Sequence, residues 1–427
     1  MSSRSTPDAL DLPRANDEAV TSAAWLLLAL LTALNVLNFV VRQLIPSLAP
    51  LLIADLGLSR AQVGSLIGYA FVVVYSLVGL VLGLVADRWS RRLLVGGGLT
   101  IWSAMTAASG AARGYLTLAI PRLFSGLGQA ALTPAALAML GDVFPARRLG
   151  LASGIYYAGL PIGTGLSLAL AGWIAPRYGW RACFYLVGAL GFVALALVAV
   201  AREPVRRAGL AAGAPAARPS FARLTRDVWA ALAGRPALLL VMFGGSALVY
   251  SSAAATHGVT WLVQERGFAF ASAAWTSAVM AVGSGFVGNL SAGWVSDWCA
   301  RRWRGGRAYS LVLLTLFFAP FSAAFYALPP TSPLFYACWF FSAASTVAYF
   351  GPVFSAVQEL APVHVRAGLV AFGLLVLNLV GVGLGALVTG IIGDHASLTL
   401  GLLVSVGVTL LGIGPFLVAA RRSSAQM

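Results

Sequence analysis

Long apolar runs separated by short polar stretches recur from one end of this chain to the other. An α-helix needs about 20 apolar residues to cross a bilayer. Runs of that order fall at roughly 25–45, 60–86, 93–112, 115–140, 149–175, 181–201, 237–264, 272–296, 308–327, 333–358, 367–392 and 397–420. They predict an all-α membrane protein of twelve transmembrane helices in two six-helix bundles. The chain then divides into an N-terminal tail (1–24), a first bundle (25–200), a polar linker (201–235), a second bundle (236–422) and a short C-terminal tail (423–427). The first run continues too far to be the apolar core of a cleaved signal. Within the linker, Pro219–Trp229 has apolar residues spaced for an amphipathic helix lying on the membrane face. The linker as a whole reads as a tether, with regulation as the other reading.

The polar punctuation itself repeats. Gly83-Leu-Val-Ala-Asp87-Arg-Trp-Ser-Arg91-Arg92 follows the second run and Gly293-Trp-Val-Ser-Asp297-Trp-Cys-Ala-Arg301-Arg302 follows the eighth. In each, the small Gly lets two helices approach closely, and the acid and arginines sit where a helix leaves the bilayer. A second pair joins helices four and five, and ten and eleven: Asp142-Val-Phe-Pro145-Ala-Arg147-Arg148 and Glu359-Leu-Ala-Pro362-Val-His-Val-Arg366. Each has an acid, Pro three residues later, then Arg. The pattern resembles the loop signature of the major facilitator superfamily, present once per half, which implies two bundles built from nested repeats. Asp142 and Glu359 can pair with arginines of the other half's signature. Such pairs form a conformational latch that holds the bundles together on one side and parts when that side opens. The competing reading is a loop kept soluble by its charges.

Composition agrees with the pattern. Hydrophobic residues make up 59% of the chain and charged residues 10%, against about half and a quarter in soluble domains. The net charge of +15 comes from 28 basic residues, all Arg. If the first helix runs outward, the tail, the linker and the signature loops place most of them on one side. Only Arg60, Arg113, Arg177, Arg181 and Arg266 fall on the other. That asymmetry predicts a multi-pass inner-membrane protein with both termini cytoplasmic. It turns the basic surplus into topology and attraction to anionic lipid headgroups rather than nucleic-acid binding. Cys183, Cys299 and Cys338 lie in or beside apolar runs without paired spacing and read as packing. No metal cluster, phosphate loop or nucleophile motif is visible, so neither a metal, a cofactor nor an enzyme is expected.

Ionisable groups inside the membrane are expensive and mark function by default. Three stand out: Arg42 in the first helix, Arg122 in the fourth and His257 in the seventh. Arg42 reads either as a substrate ligand or as a side chain snorkelling to the headgroups. Arg122 reads either as a ligand or as a strut bonded to backbone carbonyls. All 13 acids fall in tails, loops or helix ends, so no mid-membrane carboxylate is available as a proton site.

The run Asn35-x-x-Asn38-Phe-x-x-Arg42 resembles the first-helix signature of Spinster-like transporters. Similar resemblances hold for Trp261-Leu-Val-Gln-Glu-Arg-Gly267-Phe, for Gly351-Pro352 through Gln358-Glu359 to Arg366, and for Asn378-Leu-Val-Gly381-Val-Gly383-Leu-Gly385. Two positions depart from that family: Val41 stands where it has Asp, and Gln129 where it has Glu. Those carboxylates would be the family's proton sites, so proton coupling is in doubt. The resemblance implies alternating-access transport of a lysolipid- or sphingolipid-like molecule. The residues themselves favour a small or amphipathic organic anion.

The candidate substrate-binding set is Arg42, Asn38, Arg122, Gln129, Tyr157, His257 and Asn378. Other aromatics that could line a cavity are Tyr69, Tyr75, Tyr156, Tyr250, Trp275 and Tyr349, with packing as the alternative. Tyr156 and Tyr157 cannot both face the cavity, since neighbours on a helix point about 100° apart. The segment Gly159-Leu-Pro161-Ile-Gly163-Thr-Gly165 either bends or simply packs closely. Rival readings are an organic-anion exchanger, a drug or metabolite exporter, and a receptor or scaffold on the same fold. The expected partners are the solute and membrane lipids, and the expected state is a monomer.

Overall fold

The computed structural model describes residues 21–85, 90–200, 221–362 and 365–426. Most of the N-terminal tail, Asp87 and linker residues 201–220 therefore lie outside the described residues. Every regular element among the described residues is a helix. Twelve are long and apolar enough to cross a bilayer. The first six are α1 (Ser22–Leu56), α2 (Arg60–Gly79, its helix running on to Val85), α3 (Arg91–Gly110), α4 (Tyr115–Val143), α5 (Arg147–Tyr178) and α6 (Trp180–Val200). The second six are α7 (Pro236–Gln264), α8 (Phe270–Arg302), α9 (Gly306–Ala327), α10 (Pro333–Leu360), α11 (Gly368–His395) and α12 (Leu398–Arg422). With an even number of crossings, α1 begins and α12 ends on one face, called here the terminal face. The other is the far face.

Local chemistry sets the breaks. Thr21 caps α1, its hydroxyl accepting from the Ala24 amide. At the far end Gly57 ends α1 in the left-handed region (φ 63°), a conformation that glycine adopts without steric cost. Two residues on, Ser59 opens α2 with a capping box closed by Gln62. Pro46 and Pro50 sit inside α1, where neighbouring helices can shelter the freed carbonyls.

Within a bundle, helices approach through small residues. In the first, Gly98 of α3 lies so close to α4 that an added Cβ would stand 2.5 Å from the Gly128 carbonyl. The expected amphipathic helix is present as Phe221–Gly234, and part of its apolar side packs on protein while Trp229 is exposed. Val228 and Leu232 are buried in a cluster with Leu238 and Val241 of α7 and Leu369 of α11. Arg235 donates to the Leu360 carbonyl at 2.6 Å, which ties this helix to the end of α10.

The bundles meet along α5–α8, α2–α11 and α1–α7. The closest approaches lie in the far half. An added Cβ on Gly64 would meet the Ala386 carbonyl oxygen at 2.3 Å, and one on Gly390 the Arg60 carbonyl oxygen at 2.4 Å. Gly165 and Gly172 of α5 press on Val282 and Ala274 of α8, and Gly285 of α8 presses on Pro161. Gly159 and Gly163 press on α1 at Asn35 and Val36. The glycine-rich α5 segment is thus a close-packed slab between α1 and α8, which supports the packing reading.

Candidate functional site

Arg42 stands 20 residues after the start of α1 and 14 before its end, roughly 30 Å and 21 Å along the axis at 1.5 Å per residue. Its guanidinium lies over two rings of α2, 4.8 Å from the centre of Phe71 and 5.2 Å from that of Tyr75. The two rings stack on each other at 5.2 Å, one helical turn apart. The side chain therefore turns toward α2 at mid-span rather than running along α1 to a headgroup. A guanidinium over an aromatic face is stabilised by the ring quadrupole while its N–H edges remain available to an anion.

Arg122 approaches the same ring from α4, 4.6 Å from the centre of Phe71. Its donors are spent on backbone carbonyls: Leu66 and Val41 at 3.3 Å, and Arg42 at 2.9 Å. It is buried and joins α4 to α1 and α2. This is the strut, and it fixes the stretch of α1 that carries Arg42. Two permanent cations therefore share one aromatic ring. Neither forms an ion pair with an acid among the described residues.

The other candidates separate by environment. Tyr157 keeps 48% of its surface exposed and packs edge-on against the Tyr156 ring. Tyr156 is fully buried, and its hydroxyl meets that of Thr133 at 3.2 Å. Asn35 Nδ2 donates to the Tyr156 carbonyl at 2.8 Å, holding α1 to α5, and Asn38 is buried one turn further on. Gln129 is buried with its Nε2 on Ser125 Oγ at 3.0 Å, and its Oε1 has no partner among the described residues.

Asn378 of α11 donates to Ser76 Oγ of α2 at 3.1 Å, a polar bond across the bundle interface. It lies in a π-helical stretch, Leu377–Gly383, a geometry frequent at functional sites. His257 is fully buried, its Nε2 2.8 Å from the Ala386 carbonyl, so it ties α7 to α11 inside the second bundle. Tyr349 is buried against Phe318 and belongs to the packing of that bundle. Phe71 and Ser76 were not singled out by sequence. The signal for Phe71 is its spacing four residues before Tyr75, which puts both rings on one helix face.

On the terminal face the ion pairs run within bundles. Arg91 pairs with Asp142, and Arg307 with Glu359 at 2.9 Å and Asp297 at 3.7 Å. Arg147, Arg148, Arg301, Arg302 and Arg366 are exposed, while Gly83 lies in the helix that continues α2. Asp142, Asp297 and Glu359 here contact arginines of their own half, with the bundles closest at the opposite face. Arg307, which pairs with both Asp297 and Glu359, was not singled out by sequence.

The profile of the Major Facilitator Superfamily matches residues 28–382. The fold matches a bacterial homologue of the human lysosomal transporter Spinster, solved in an inward-facing, unoccupied conformation. The TM-score is 0.81 at 21% identity, covering 94% of this chain and 98% of that one. A Mycolicibacterium smegmatis MFS-type efflux pump is 29% identical over 88% of this chain and 86% of its own length. A probable L-galactonate transporter of Escherichia coli is 28% identical over 65% of this chain and 59% of its own. Human protein spinster homolog 1 is 28% identical over 53% and 43%. With its duplicated six-helix halves, paired signature loops and an arginine set at mid-span in the first helix, the chain belongs to the Major Facilitator Superfamily of transporters and is similar to Spinster-like members in fold.

Proposed function

We propose that this transporter moves a small or amphipathic organic anion by alternating access, with Arg42 holding the anionic group. One observation carries the reading. Two mid-span guanidinium groups share the Phe71 ring without an acid partner, and only Arg122 uses its donors on carbonyls. An uncompensated charge at this depth costs at least about 2.5 kcal/mol. A substrate anion offsets that cost, and a carboxylate or phosphate matches the two-pronged guanidinium edge. Tyr75 lies beside it, and Asn378, bonded to the neighbouring Ser76, stands on the facing bundle. The relative described as a probable L-galactonate transporter supports an organic acid as the substrate class.

The arginine asymmetry makes the terminal face cytoplasmic, so a chain closed at its far face is inward-facing. The latch pairs would re-form across the bundles when the transporter turns outward. The test is uptake into proteoliposomes of a panel of organic acids and lysolipids. Arg42→Ala should abolish transport and Arg42→Lys should leave partial activity. Parental transport by both variants would overturn the assignment. The relation to an efflux pump along most of the chain favours export as the direction.

A further inference from the structure

At the far face one acid crosses from bundle to bundle. Both Asp394 carboxylate oxygens of α11 accept from the first amides of α2: Oδ1 from Arg60 at 2.8 Å and Oδ2 from Ala61 at 2.9 Å. The first amides of any helix lack an intrahelical partner. The hydroxyl of Ser59 takes only the Gln62 amide, so Arg60 and Ala61 depend on a group from elsewhere. The opposite bundle supplies it. Its approach is possible because Gly390 and Gly393 thin the α11 surface against Arg60. The Arg60 side chain returns the contact, with Nε on Gln264 Oε1 of α7 at 3.0 Å and a second donor on the Gly393 carbonyl.

A neighbouring acid shows what a purely structural cap looks like. Glu265 accepts from the Leu398 and Thr399 amides at 2.5 and 2.9 Å and caps α12, but both helices belong to the second bundle. That cap survives any rigid-body motion of the bundles, whereas the Asp394 cap exists only while the far face is closed.

We propose that Asp394 is a gating residue: its carboxylate holds the far gate shut by capping α2 across the bundle interface. A contact present in one conformation only shifts the equilibrium by its own free energy. The carboxylate also faces the positive end of the α2 dipole. When the gate parts, water takes over the two amides and the bias is lost. Asp394 acts through the backbone amides, while the Arg60 side chain adds its own bonds to the second bundle. This inference depends on neither substrate nor direction.

Spin labels at Arg113→Cys and Thr331→Cys, exposed loop positions on the far face of the two bundles, read the gate. The measurement uses substrate-free protein in nanodiscs, with the three native cysteines replaced by alanine. Asp394→Ala should raise the fraction with long far-face distances roughly fivefold, the change expected for losing one helix cap. Asp394→Asn keeps the shape and should shift the population less, in the same direction. Arg60→Ala retains both amides but loses the side-chain bonds, so the Arg60→Ala, Asp394→Ala double variant should open further than Arg60→Ala alone. Parental distance distributions in a folded Asp394→Ala variant, or in Asp394→Asn where the alanine variant does not fold, would overturn the proposal. So would a double variant no more open than Arg60→Ala alone.

Discussion

Arg42 and Arg122 carry the same charge at similar depth, yet the structure separates their tasks. Arg122 donates to three backbone carbonyls of α1 and α2, and buried hydrogen bonds from a charged donor contribute about 1.5–3 kcal/mol each. Arg122→Leu should therefore lower the thermal unfolding midpoint of the purified protein by several degrees. Arg42→Leu removes the ring contacts and a hydrogen bond with Tyr75 and should lower that midpoint less than Arg122→Leu does, while transport disappears. Equal destabilisation by both changes would place Arg42 among the struts. His257 is the third interior group, and its ring is committed to the Ala386 carbonyl. With no mid-span carboxylate present, transport should respond weakly to an imposed pH gradient. Strong proton-driven accumulation that persisted in His257→Gln would point to the helix-end acids instead.

At the scale of elements, the α2–α11 seam decides which face closes. Its glycines remove side chains where two backbones must touch, and a π-helical stretch in α11 carries Asn378 onto Ser76. A methyl group on Gly64 would stand 2.3 Å from the Ala386 carbonyl oxygen, closer than packed atoms can lie. Gly64→Ala should thus part the far ends of the helices and raise the open fraction in the same spin-label measurement. Gly97→Ala is the control, because an added Cβ there meets nothing within 4 Å. An unchanged distance distribution in Gly64→Ala would mean that the seam slides rather than closes backbone to backbone.

For the whole molecule, the terminal face carries the ion pairs of Asp142, Asp297 and Glu359 and the far face carries the glycine seam. Asp297 and Glu359 share Arg307 within the second bundle. In the outward-facing state these acids are expected to meet arginines across the cavity mouth. Asp297→Asn should then favour the inward-facing population and alter transport rate more than substrate affinity. Cysteine accessibility from the two sides of the membrane checks this, and unchanged labelling would count against a latch. The orientation behind it is tested by a reporter fused after Arg422, which should be active in the cytoplasm.

Much of this protein was legible in one dimension because the bilayer imposes rules that act locally. A spanning helix must be apolar along its length, so twelve runs give twelve helices. The duplicated Gly-x-x-x-Asp signature and the arginine asymmetry each need only a short window of chain. The depth of Arg42 and the scarcity of interior acids could likewise be counted along the sequence. Tertiary structure alone decided what depends on which helices meet. Arg122 became a strut because α4 lies beside the carbonyls of α1 and α2. Tyr156 is buried and Tyr157 half exposed because of the rotation of α5. Asp394 is an unremarkable helix-end acid in sequence, and it holds α2 only because glycines more than 300 positions from that helix's start bring two helix ends into contact. Local composition determines what each segment is, whereas hydrogen bonds between distant segments depend on close packing that sequence spacing does not encode.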